Sequence, residues 1–126
     1  MEQLIIDRDG NSFYPGKRTS QAIGYLGGFL CCDVGNSVDY IREWVNNPFR
    51  GGGSGNYSHV EKHGDKITIE FEIDHFEETP NAPIFELTLS QMNYILDRWQ
   101  EALEQKPNKI IITKDDNGEI TVVFED

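Results

Sequence analysis

The sequence predicts a single α+β domain spanning residues 1–126: a mostly antiparallel sheet of five to six strands packed against two helices. Three observations carry this expectation. Residues 66–74 alternate apolar and polar side chains, the period of a strand with one face on a core. Met92, Ile95, Leu96, Trp99 and Leu103 recur at intervals of three and four, the buried stripe of a helix. Segments 109–113 and 120–124 flank Asp115-Asp116-Asn117-Gly118, and Asn-Gly is a strong hairpin cue.

Taken in order, Leu4-Ile5-Ile6 reads as a short strand and Asp9-Gly10-Asn11 as a turn. Phe13-Tyr14-Pro15-Gly16 is a second turn-rich stretch. Segment 22–32 is apolar but holds three glycines. Each would cost a helix interior about 1 kcal/mol, so strand is favoured over helix there. Asn36 or Ser37 can cap a short helix to about Asn46, with Val38, Ile41, Trp44 and Val45 on one face. Gly51-Gly52-Gly53-Ser54-Gly55 reads as a surface loop, because no Lys-Ser/Thr follows to make it a phosphate cradle.

Tyr57–Glu61 and Lys66–Asp74 read as strands joined by His63-Gly64-Asp65. In the second, Ile67, Ile69, Phe71 and Ile73 face inward. Glu70, Glu72 and Asp74 then form an acidic ladder with a spacing of about 7 Å. Residues 75–83 form a loop interrupted by two prolines, and Phe85-Glu86-Leu87 a short strand. Thr88 or Ser90 caps the long helix, which Pro107 ends.

Charge divides the chain. Residues 1–63 hold 7 acids and 6 bases, a net of −1; residues 64–126 hold 15 acids and 5 bases, a net of −10. A strongly negative surface attracts a basic partner and repels phosphates, so direct nucleic-acid binding is not expected. No apolar run is long enough to span a membrane. The first residues lack the basic, apolar and cleavage regions of a signal peptide, which implies a cytoplasmic protein. Cys31 and Cys32, the only cysteines, read as reduced thiols, at least one of them buried.

Searching for chemistry yields no catalytic residue and no cofactor. His59 and His63 stand four apart, which on a strand means about 13 Å, and no third ligand is placed by sequence. No metal site is therefore expected. Glu77-Glu78 and Asp115-Asp116 lie in loops or turns, where water keeps carboxylates ordinary. The Asp115–Glu119 stretch cannot complete a calcium-binding EF-hand loop. No serine has a nucleophile-elbow context.

Several short motifs share one layout. Tyr40-Ile41 and Trp44 mark a helix, Gly55-Asn56-Tyr57 opens a strand pair ending in Ile67-Thr68-Ile69-Glu70, and Leu87-Thr88 leads to a helix with Ile95-Leu96 and Trp99. Over roughly residues 25–105 this layout resembles immunity proteins of bacterial contact-dependent growth inhibition and related polymorphic toxin systems. The triple glycine and the C-terminal hairpin have no place in it. The resemblance implies a small cytoplasmic antitoxin, not an enzyme, that neutralises a cognate basic toxin domain, often a nuclease.

Charge supplies the expected contacts independently. Glu70, Glu72, Asp74, Glu77 and Glu78 form one candidate surface, with Tyr57 and Phe76 as aromatic anchors. Asp97, Glu101 and Glu104 form a second on the long helix. A small adaptor or homodimeric interaction domain is the alternative, and a ligand-binding protein or enzyme a third. Oligomeric state is not fixed by the sequence.

Overall fold

A computed structural model describes residues 1–55 and 57–126; Asn56, the middle of the Gly55-Asn56-Tyr57 motif, lies outside the described residues. The chain opens with strands β1 (Glu2–Asp9) and β2 (Ser12–Arg18), then helix α1 (Gln21–Gly28), a π-helical turn (Phe29–Val34) and α2 (Val38–Asn46). Strands β3 (Gly52–Ser54), β4 (Ser58–His63) and β5 (Lys66–Phe71) follow, then the short α3 (Glu72–Phe76) and β6 (Phe85–Thr88). Helix α4 (Leu89–Gln105) precedes the final hairpin, β7 (Lys109–Lys114) and β8 (Ile120–Glu125).

The fold is α+β, but the strands make two antiparallel four-stranded sheets, ordered β2-β1-β7-β8 and β3-β4-β5-β6, where one sheet and two helices were expected. Alternation explains the core. Leu4, Ile6, Ile110, Ile112, Ile120 and Val122 project from the first sheet; Val60, Ile67, Ile69, Phe85 and Leu87 project from the second. Helix α1 packs on strands of both sheets, and α4 packs on β5, β6, β8 and α2. The expected stripe of α4 is buried at Met92, Ile95, Leu96 and Trp99, with Leu103 half-buried. Thr88 caps it through a reciprocal pair with Gln91.

Tertiary contacts override the glycine penalty in segment 22–32, which is helical rather than extended. The Ser20 hydroxyl accepts from the Ile23 N–H and starts the helix. The glycines let neighbours approach: a Cβ at Gly27 would press on Leu4, and one at Gly28 would collide with the Tyr57 ring. The Phe13–Gly16 stretch is part of β2, not a turn. Three residues of the glycine run form edge strand β3 against β4.

The strand expected over 66–74 stops at Phe71. Beyond Ile69 it has no β6 residue to pair with, and Ser58 is its last β4 partner. The Glu72 N–H still donates to the Tyr57 carbonyl, and the chain then coils into α3 instead of continuing as an acidic ladder. Ile73, expected inside, is exposed. No described helix is long and apolar enough to cross a membrane.

Candidate functional site

The outer face of the second sheet carries the densest set of functional side chains. Because side chains alternate, burying Ser58 and Val60 turns His59, Glu61 and His63 outward from β4. The β4–β5 register sets His59 opposite Glu70 and Glu61 opposite Thr68. The end of β5 then folds α3 back over this face, and its His75 lands among them. His75 Nδ1 lies 2.6 Å from Glu70 Oε1 and 4.0 Å from Glu61 Oε1.

Glu61 is the hub. His59 Nε2 meets one of its oxygens and His63 Nε2 the other, each at 3.1 Å. The hydrogen bond from His59, reinforced by His63 and the other imidazole charges, holds Glu61 below the usual carboxylate range. The His59 and His75 rings stack 3.5 Å apart and nearly parallel, with the Phe76 ring edge-on to both. On its far side, His59 Nδ1 shares a 2.8 Å hydrogen bond with Ser54 Oγ on the glycine-rich edge strand.

Helix α3 is inverted relative to a normal surface helix. Ile73 and Phe76 are 53% and 66% exposed, while Glu72, Asp74 and His75 lie half-buried against the protein. Glu77 and Glu78 are exposed just beyond it. Among the described residues, none of Glu72, Asp74, Glu77 and Glu78 has an ion-pair partner. Burial, with the Asp74 charge adding, pushes the Tyr25 phenol above its ordinary value.

The expected contact residues divide. Glu72, Asp74 and Phe76 lie on α3, the first two half-buried, with Glu77 and Glu78 exposed just after it, and Glu70 lies beneath the helix, committed to His75. Tyr57 is not a free anchor: it is half-buried, tilted against Phe71 at 5.2 Å and packed on the core. The second candidate surface is largely neutralised. Asp97 pairs with Arg42 of α2 at 2.5 Å, and Glu101 with Arg98 at 2.6 Å, leaving Glu104 exposed. Helix α4 covers the core side of the second sheet and α3 its outer side, so the two acidic sets do not merge.

Sequence reasoning missed the His59–Glu61–Glu70–His75 grouping. Counting back from the turn, where His63 faces Lys66, would have set His59 opposite Glu70. The arrival of His75 depends on the break at Phe71, which no proline or glycine marks.

Elsewhere, a cavity of about 280 Å³ lies between α2 and β3, bordered by Tyr40, Trp44, Arg50 and Ser58. Its volume is at the small end for a ligand pocket. Asp33 at its edge is occupied, accepting the N–H groups of Tyr57 and Ser58 at 2.9 Å. Neither cysteine is fully buried. Cys31 is half-buried, and burial pushes its thiol up to about 12, which keeps it inert; Cys32 is exposed. No family model matches the chain, and no curated protein or solved structure matches it.

Proposed function

We propose that this chain is an immunity-type inhibitor that binds and neutralises a basic toxin domain, a nuclease by preference, through α3 and the loop after it. The observation that carries the reading is the inverted character of α3. Two large apolar side chains face solvent, exposed Glu77 and Glu78 follow them, and among the described residues neither these two acids nor the half-buried Glu72 and Asp74 have an ion-pair partner. Interfaces concentrate their energy in a few apolar anchors, and a charged rim steers the encounter and selects the partner. Acids at such a rim can occupy positions that substrate phosphates would take on a nuclease. The surplus of −10 in residues 64–126 favours fast, salt-sensitive association with a basic surface.

The test is co-expression with the basic toxic domain encoded beside this gene. The proposal predicts rescue of growth and a 1:1 complex whose association slows as salt rises. Continued toxicity with no complex at low salt would refute it.

A further inference from the structure

The geometry points to a divalent transition-metal site, of the Zn²⁺ class, made by His59, Glu61, Glu70 and His75. This goes beyond the inhibitor reading and does not rest on it. One ligand atom from each residue lies within 4.8 Å of all the others. A tetrahedron with bonds near 2.0 Å has edges of about 3.3 Å. The contacts at 2.6, 3.1 and 4.0 Å bracket that value, so small side-chain rotations would complete the shell.

Chemistry selects the ion. Two carboxylates bring a charge of −2, and two imidazoles ligate in their neutral form, so a divalent cation balances the set. Half-nitrogen ligation suits zinc and its neighbours and disfavours magnesium and calcium, which take oxygen. Outer partners of the usual kind are in place. Ser54 Oγ orients His59 through Nδ1, and His63 holds the second oxygen of Glu61. Phe76 shields one side, while Glu61 and His75, 37% and 31% exposed, leave a route for the ion from solvent.

All four positions being filled by protein makes this a structural rather than a catalytic site. Its effect would be to staple α3 to β4 and β5. Helix α3 packs only lightly on the protein, with none of its five residues buried. The ion would thus fix the element that presents Ile73 and Phe76 to solvent.

The experiment is a Co²⁺ titration of untagged, chelator-stripped protein, followed by displacement with Zn²⁺. The expected result is the visible absorption of tetrahedral Co²⁺ rising to one ion per chain and vanishing on Zn²⁺ addition. His75→Ala and His59→Ala should abolish the band while circular dichroism stays native. Glu70→Gln, which keeps the shape of its side chain, should weaken binding beyond the roughly 10–100-fold typical of losing an outer partner. Ser54→Ala should weaken it within that range and keep the stoichiometry. Absence of a tetrahedral band in the wild-type protein, or a band that survives both histidine substitutions, would overturn the assignment.

Discussion

Helix α4 buries Met92, Ile95, Leu96 and Trp99 and commits Asp97 and Glu101 to ion pairs within the fold. Helix α3 turns Ile73 and Phe76 to solvent and, with the residues just after it, leaves four acids unpaired. Both are amphipathic and both are acidic. Their difference is in what answers each side chain. In α4 the core takes the apolar stripe and Arg42 and Arg98 take the charge. In α3, among the described residues, no cation answers the acids: His75 meets Glu70 and the His59 ring, and Asp74 meets only the Tyr25 phenol. Composition alone therefore does not identify an interaction surface; the residue left unanswered by the fold does.

The sharpest way to break the comparison is to shorten one apolar side chain on each helix. Trp99 is buried, its Nε1–H donates to the Gly35 carbonyl at 2.8 Å, and its ring packs on Phe13. Trp99→Ala should cost about 3–5 kcal/mol of stability. Ile73→Ala on α3 should stay within about 0.5 kcal/mol, as exposed substitutions do. Urea unfolding measures both, and equal losses would mean that α3 belongs to the core.

Binding should reverse that order. Phe76→Ala should weaken the proposed toxin complex by about 2 kcal/mol, the scale of an anchor residue, and leave the unfolding midpoint unchanged. Calorimetry on the complex reads the first and denaturation of the free protein the second. A smaller contrast concerns helix starts. Thr88 caps α4 by a side-chain hydrogen bond, whereas Phe71 at the start of α3 offers none. Thr88→Ala should cost about 1 kcal/mol, and Phe71→Ser, by adding a cap but losing a packed ring, should not stabilise the protein.

Much of the fold was legible in the sequence because it rests on local signals. The α4 stripe with its cap, the hairpin at Asn117-Gly118 and the inward set Ile67 and Ile69 all follow from periodicity and turn chemistry. The division into two sheets was not legible, because it depends on which strands meet across the core. Glycine misled at Gly24, Gly27 and Gly28, where close packing rather than helix breaking is its use. At the site, Glu77 and Glu78 fall in a loop as the sequence predicts, whereas Glu72 and Asp74, predicted on a strand, lie on α3. Spacing along the chain relates His59 to His63 only as two positions on one strand, while their common partner, Glu61, sits between them on the same face and their neighbour, His75, arrives from α3.

The central claim is that α3 and its loop, and not the acidic side of α4, meet the basic partner. Stopped-flow association of two charge-reversal variants tests it directly. One carries Glu72→Lys, Asp74→Lys, Glu77→Lys and Glu78→Lys; the other carries Asp97→Lys, Glu101→Lys and Glu104→Lys. At low salt the α3 variant should associate at least about tenfold more slowly, and the α4 variant should stay within about threefold of the parent. A slow α4 variant beside an unaffected α3 variant would contradict the account.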